Sequence, residues 1–471
     1  MKKALSKKNL WEGTPLPLKA ALGCVLGAST PALWLGRRFR ASCRFLREAE
    51  WWSAEAVREF QLEKLRKICR LAYSETPYYR RTFDAVGFHP NDLKTLEDFA
   101  LLPTIDKRTV QNHRDEMCVQ GMSPYGVDLC TTGGTGGAPL AFYLDHKRSA
   151  VGYAYLVTSW ERAGYSVGRR MGVFRGRVVK PDRKGLHHEY DPALRRHYYS
   201  SYQMTDSDMR RYMEHVAALG PCFLYVYPST AASLSRFLRR HNMEPPKNIL
   251  GIIAESENVY PDQRADIEAT FKTRMFSCYG HSERLVFAAE CEHSTDYHVW
   301  PTYGYFELLD RDSEPMRLPG GRGEIVGTGF ISTVMPFIRY RTGDYATYVG
   351  NRCEACGREH TLVREIRGHR TQESLIAADG TILPWTGLSV DGSHSAFIHV
   401  RQIQFYQDTP GHALLRIVPA EGFNQESRRG VCEFFEWKFA GAVDFTVECV
   451  DAIVLSPRGK AIYVDQQIEG C

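Results

Sequence analysis

The chain has 471 residues, 43% hydrophobic and 24% charged, with 25 Tyr and 23 Phe, enough apolar side chain for a globular protein of roughly two to four domains and too much for a disordered or fibrous one. Its 60 Lys and Arg against 55 Asp and Glu leave a formal charge of +5, spread along the chain, so no basic stripe points to nucleic acid. The 13 Cys, an odd number, stand mostly alone in apolar contexts such as KICRLAY and PCFLYVY, which suits small buried hydrophobes in a reducing compartment better than a disulfide framework.

In chain order, MKKALSKKN leads into an apolar stretch from Ala20 to Gly36, broken by Gly, Ser, Thr and Pro31 and flanked by Lys19, Arg37, Arg38 and Arg40. It is too short and interrupted for a spanning helix, which needs about 20 apolar residues. Residues 1–52 therefore form either a helix packed on the main domain or, through residues 1–45, a segment resting on an anionic membrane surface. The expected location is the cytoplasm, at the inner face of the membrane on the second reading. SAEAVREFQLEKLRKICRLAYSE, residues 53–75, places Val57, Phe60, Leu65, Ile68 and Leu71 at helical spacing behind a Ser53 cap. From about 125 to 345, strand-like runs (LAFYLD, RMGVFRG, CFLYVYP, NILGIIAES, RMFSCYG) alternate with helical ones (DMRRYMEHVAALG, YPDQRADIEATFKT). That alternation predicts an α/β domain with substantially parallel sheets over residues 53–367. Beyond a junction near Ile366 to Glu373, residues 368–471 read as a small α+β module. It contains a hairpin turning at Thr409-Pro410-Gly411, a helix in NQESRRGVCEFFEWKFAG and a strand in VDFTVECVDAIVL.

Several short segments carry chemistry. CTTGGTGGAPLAFYLD, residues 130–145, holds three Thr and four Gly in seven positions; such a loop either wraps phosphates with backbone N–H groups and hydroxyls or is a surface turn. It lacks the Gly-Lys-Ser/Thr ending of a Walker loop. In SCYGHSERLVFA a strand stops at Tyr279-Gly280, where a ring can stack on a base, and Glu283 follows as a candidate cation ligand. FIRYRTGDYATY sets Arg339, Arg341 and Asp344 around a Thr342-Gly343 turn, an arrangement that suits either ribose hydroxyls or a buried Arg–Asp pair. SPRGKAIYVDQ puts Lys460 on a Gly turn opening a strand. Cys353-Glu-Ala-Cys356-Gly, with the distant Cys291 and either His293 or His298, fits a closed tetrahedral Cys₃His zinc site of structural kind.

The order of these motifs, TGGTGGAPL, YPST, SENVYPDQR, YGHSERLVFAAEC, CEHSTDYHV, IRYRTGD, IRGHRTQE and RGKAIYVDQ, resembles the adenylate-forming superfamily of acyl-CoA synthetases. Within it the chain is similar to the phenylacetate–CoA ligase family, especially its capsular-polysaccharide-type branch, over roughly residues 55–466. The resemblance implies a large adenylate-forming domain of sheets flanked by helices and a small mobile C-terminal lid hinged at Gly368 to Gln372. It implies an ATP-dependent, AMP-forming ligase that activates a small carboxylic acid and passes the acyl group to the thiol of CoA. It assigns Thr132, Gly133, Gly134, Thr135 and Gly137 to phosphate binding, Ser256 and Glu257 to the adenine pocket, and Tyr279 and Gly280 to the base. Glu283 matches the Mg²⁺ acid, Asp344 the ribose acid, Arg364 or Arg367 a ribose support, and Lys460 the lysine on the carboxylate and α-phosphate oxygens. Zinc on Cys291, Cys353, Cys356 and His298 also follows, His298 being preferred to His293 because its Cys-x₆-His spacing matches the family. Gly136 and Ala138 depart from the pattern, which usually has Thr or Ser at the first and often Lys at the second, removing one hydroxyl and one charge from phosphate binding. Transfer to an amine, a hydroxyl or a carrier-protein thiol, and a non-catalytic nucleotide-binding scaffold, are the competing expectations. Tyr225, Tyr227, Phe174 and Tyr155 are candidates for an aromatic acid pocket or for core, and the oligomeric state leaves no trace in the sequence.

Overall fold

The structure, a computed structural model, describes residue 18 and residues 35–123, 126–131, 140–182, 184–367, 374–384, 395–397, 399–454 and 462–468. The expected helix after Ser53 is present as Ala54–Glu75, with the Ser53 hydroxyl accepting from the Ala56 N–H. β1 (Val127–Thr131) and β2 (Ala141–Asp145) pair antiparallel by themselves. The strands that follow are β3 (Arg170–Phe174), β4 (His188–Asp191), β5 (Arg196–Tyr199), β6 (Cys222–Val226), β7 (Ile249–Glu255) and β8 (Met275–Gly280). Next come β9 (Phe287–Ala289), β10 (Tyr297–Val299), β11 (Gly304–Leu309), β12 (Arg322–Gly329), β13 (Tyr340–Gly350) and β14 (Leu362–Arg367). Together β3 to β14 form a 12-stranded sheet in the order β11-β12-β13-β14-β10-β9-β8-β7-β6-β3-β5-β4.

Only the middle of this sheet, β5-β3-β6-β7-β8, is parallel, and every other pair is antiparallel. The expectation of substantially parallel strands therefore holds where helices intervene. From Phe287 to Arg367 no helix does, and a chain returning through short turns must pair antiparallel. In the parallel part, successive side chains enter opposite cores, as pleating requires. Cys222, Leu224 and Val226 join Tyr212, Leu234 and Ile267 on one face. Phe223 and Tyr225 join Tyr155 and Trp160 on the other.

The second face is completed by α1 (Gly36–Ala49), which packs Phe39, Cys43 and Leu46 there. Its last turn is anchored by charge: Glu50, 8% exposed, receives Arg358 Nε at 2.8 Å and lies 3.5 Å from Arg162. Both guanidiniums are buried, and Glu50 lies between them. Glu50→Gln would take the carboxylate charge from buried Arg162 while Arg358 keeps its pair with Glu292, and denaturant unfolding is expected to lose about 1–3 kcal/mol. None of the described helices is long and apolar enough to cross a membrane.

The C-terminal part contains a pair, β15 (Ser374–Ile376) with β16 (Ile382–Pro384), and a 4-stranded sheet. The sheet runs β19-β18-β17-β20, built from β17 (Val400–Thr409), β18 (His412–Pro419), β19 (Asp444–Cys449) and β20 (Val464–Gln466). The expected hairpin is β17 and β18, and the expected helix is Gln425–Phe439, capped by Asn424. The helix buries Val431, Phe435 and Phe439 against Phe405, Leu415 and Ile417. Tyr202 of the large part enters the same core, and Thr381 donates to the Met204 carbonyl at 3.0 Å.

Candidate active site and metal centre

Parallel strands present their carboxyl ends on one side of a sheet, where ligands of open α/β folds bind. Arg175 follows β3, Tyr227 and Ser229 follow β6, Glu255 to Glu257 end β7, and Tyr279 to Glu283 end β8. Glu257 accepts from the Ser229 N–H at 2.9 Å and its hydroxyl at 3.0 Å, holding the start of the helix Pro228–Arg240 against β7. Ser256 lies in the left-handed region (φ 73°), an unfavourable place for a residue with a side chain. Its hydroxyl is gripped by Arg175 Nη2 at 2.5 Å. Arg175 also pairs with Glu255 at 2.7 Å, its guanidinium lying 4.1 Å from the Tyr225 ring and 5.1 Å from the Tyr227 ring. Burial pushes the Glu255 carboxyl above the usual range, against the opposing pull of Arg175. Of the aromatic candidates, Phe174 stacks on Tyr199 inside the core, and Tyr155 is buried with its hydroxyl 2.9 Å from Thr302. Tyr225 is likewise buried, and of the four only Tyr227 is partly exposed beside Arg175.

Tyr279 and Tyr340 tie the two acids to one place. The Tyr279 hydroxyl donates to Asp344 at 2.8 Å, and the Tyr340 hydroxyl donates to Glu283 at 3.3 Å. The turn that aims Asp344 depends on Gly343 (φ 72°), whose N–H reaches Glu324 at 2.9 Å, and on Thr342, whose hydroxyl accepts the Asp344 N–H at 3.0 Å. The neighbouring arginines do not pair with Asp344: Arg339 forms a buried pair with Glu307 at 2.9 Å, and Arg341 binds Glu324. Glu283 is 8% exposed. His281 accepts the Val286 N–H on Nε2 at 3.2 Å, so its Nδ1 carries the hydrogen directed at Glu283, 3.1 Å away. Burial alone would raise the Glu283 pKa, but His281 and Tyr340 outweigh it and hold the carboxyl below its ordinary range. An ionised, buried carboxylate with two hydrogen-bond partners and remaining lone pairs is a fit ligand for a hard cation. Tyr279→Phe would take from the Asp344 carboxylate the hydroxyl that fixes it, the loss of a hydrogen bond to a charged acceptor.

Gly280 closes against Phe287, which a side chain there would meet at 3.1 Å. Arg364 on β14 pairs with both oxygens of Asp296, the residue before β10, at 3.0 and 3.1 Å. Thr132, Gly133, Gly134, Thr135, Gly136, Gly137 and Ala138 lie outside the described residues, as do Lys460 and the hinge Gly368 to Gln372.

Cys291, His298, Cys353 and Cys356 converge, one ligand atom from each lying within 4.8 Å of the others. His298 sits on β10 between β9 and β14, and its Nδ1 meets the Asp296 carbonyl at 3.0 Å. That bond leaves Nε2 toward the thiols, 3.4 Å from Cys356 Sγ. The Cys-x-x-Cys loop turns at Gly357 (φ 80°), whose N–H reaches the Cys353 carbonyl at 2.7 Å. Cys291 accepts from the N–H groups of His293 and Ser294 at 3.4 and 3.2 Å, so His293 adds its backbone and not its ring. Burial pushes His298 down to about 3, leaving a neutral imidazole. Burial would raise Cys356, yet bonding to Arg358 carries it below a normal thiol. Three thiols and one oriented neutral imidazole are the donor set of a closed zinc site.

Sequence reasoning did not single out Arg175, His281, Tyr340, Asp296 or Arg358. Arg175, Tyr340, Asp296 and Arg358 act through partners distant in sequence, whereas His281 acts on Glu283 two residues on; only Arg175, directly after a strand in RMGVFRG, gave a hint.

No family model matches the chain. It is 28% identical over 306 residues to phenylacetate-coenzyme A ligase of Pseudomonas putida, a match covering 62% of this chain and 66% of that enzyme. It is 21% identical over 380 residues to protein CapK of Staphylococcus aureus, covering 80% and 82%. The crystal structure of 2-hydroxyisobutyryl-CoA ligase in its postadenylation state superposes with a TM-score of 0.56 at 19% identity, covering 89% of this chain and 91% of that one. The chain is thus similar in sequence to phenylacetate-coenzyme A ligases and to CapK, and it shares the fold of 2-hydroxyisobutyryl-CoA ligase.

Proposed function

We propose that this protein is an AMP-forming acid–CoA ligase: it joins a small carboxylic acid to the α-phosphorus of ATP, releases pyrophosphate, and transfers the acyl group to the thiol of CoA. The observation that carries the reading is the coupling of Glu283 and Asp344 through Tyr340 and Tyr279 at the carboxyl ends of the parallel strands. Asp344 holds the ribose hydroxyls there, with Tyr279 fixing its carboxylate. Glu283 holds Mg²⁺, which when bound neutralises charge on the phosphate oxygens. The Thr/Gly loop from Thr132 to Gly137 wraps the phosphates. Lys460, carried by the C-terminal module, places its ammonium on the acid and α-phosphate oxygens, where charge builds as two anions meet. That role requires the module to close for adenylation and to move again before thiolysis. Support for two such states comes from 2-hydroxyisobutyryl-CoA ligase, solved both in a postadenylation state and in a thioesterification state with CoA. Zinc on Cys291, His298, Cys353 and Cys356 pins the loop before β14 and takes no part in the chemistry.

ATP–pyrophosphate exchange with a panel of aryl, fatty and amino acids tests the reading. Exchange with at least one acid, lost in Lys460→Ala, is the expected result. No exchange across the panel would leave a nucleotide-binding protein without ligase chemistry.

A further inference from the structure

At the far edge of the large sheet, three histidines from three elements meet. His188 is on the edge strand β4, His197 on its neighbour β5, and His215 in the last turn of the helix Asp206–Ala218. His188 pairs in register with Tyr199 and His197 with Tyr190, so all four rings share the face of the sheet that the helix covers. One ring nitrogen from each histidine lies within 4.8 Å of those of the other two. His188 Nε2 and His197 Nδ1 are 3.0 Å apart, close to the separation of about 3.4 Å kept by two nitrogens bound 2.0–2.1 Å from a tetrahedral ion. The His188 ring centre is 4.4 Å from that of His215 and 5.2 Å from that of His197.

We propose that His188, His197 and His215 form a second metal site, one that takes a borderline divalent transition ion such as Zn²⁺, Cu²⁺ or Ni²⁺ on three imidazoles. The donor set selects these ions over Mg²⁺ and Ca²⁺, which require oxygen ligands. His215 has the outer partner that a ligating histidine needs: its Nδ1 lies 2.7 Å from the Tyr199 hydroxyl, which fixes the ring plane. Tyr199 is in turn buried and stacked on Phe174. The ion would replace the hydrogen shared by His188 and His197, which requires only that the donor ring change tautomer. The Asp182 carboxylate acts electrostatically on His188 and His215 and offers compensating negative charge, while its Oδ1 accepts the N–H groups of Lys184 and Leu186. Three protein ligands leave a fourth position for solvent or a small anion, beside the exposed ring of Tyr190.

This site is separate from the cysteine centre. Seven strand spacings divide β4 from β10, roughly 34 Å at about 4.8 Å each. It also owes nothing to the ligase reading.

The test is a Co²⁺ titration of the untagged protein as purified, with the metal of the cysteine centre left in place. One further equivalent is expected to bind, giving ligand-field bands without a sulfur-to-cobalt charge-transfer band. His188→Gln with His215→Gln should abolish that equivalent. Tyr199→Phe, which keeps the ring and its packing, should weaken it by about 10–100-fold. Cys356→Ser should leave it unchanged. Absence of the extra equivalent, a sulfur-to-cobalt band, or equal binding by the histidine variant would overturn the proposal. Far-ultraviolet circular dichroism of each variant identifies any loss that comes from unfolding, in which case Tyr199→Phe decides.

Discussion

Glu283→Gln is expected to lower acid-dependent ATP–pyrophosphate exchange by about 10²–10³, the usual cost of removing one contact to the charge that develops in a transition state. The substitution is nearly isosteric. With one oxygen left, the Tyr340 hydroxyl, 3.3 Å from Oε1, keeps its acceptor only if the His281 N–H, 3.1 Å from Oε2, faces the amide NH₂. What disappears is the negative charge that recruits a cation to a buried position. The loss should therefore fall on turnover at saturating ATP, and raising Mg²⁺ should recover it only in part. Asp344→Asn should behave differently: with Tyr279 still bonded to one oxygen, the damage is expected in KM for ATP. Equal losses in KM and none in turnover for Glu283→Gln would remove that residue from the cation.

The zinc proposed for the cysteine centre is expected to be lost in Cys356→Ser, from one equivalent to none at that site by elemental analysis. Structural zinc supplies about 10–16 kcal/mol to zinc-finger peptides. Here the strands on either side have their own ladders, so only part of that is at stake. His298 is held between β9 and β14 whether or not metal is bound, while the loop Asn351–Thr361 depends on Cys353, Cys356 and the Arg358 pairs with Glu50 and Glu292. Amide exchange in residues 351–361 should accelerate by more than about 100-fold, with much smaller changes in β6 and β7. Unchanged exchange there, with zinc lost, would mean that the ion does not pin this loop.

Much of the architecture was legible because local patterns agreed with the tertiary solution. Leu65, Ile68 and Ser53 announce a capped amphipathic helix, and Cys222 to Val226 announces a strand buried on both faces. What escaped was pairing direction: nothing in Tyr297–Val299 or Leu362–Arg367 says that these strands return antiparallel, since that depends on the absence of helices between them. In the site, residue types that are unusual where they stand, such as Gly343 before Asp344 or the Cys353–Cys356 spacing, were readable. Their supports were not. Tyr340 reaches Glu283 across 57 positions and Arg358 reaches Glu50 across 308, and a single sequence carries no mark of such partners. The three histidines escaped for the same reason: His188, His197 and His215 follow no ligand spacing along the chain and meet only because β4, β5 and a helix are adjacent.

The reaction itself is tested most directly with an acid that supports exchange, labelled with ¹⁸O in its carboxylate and incubated with ATP, Mg²⁺ and CoA. Attack of the carboxylate on the α-phosphorus, followed by thiolysis, leaves one labelled oxygen on AMP and none on pyrophosphate. ADP as the nucleotide product, or label recovered in inorganic phosphate, would contradict activation at the α-phosphorus.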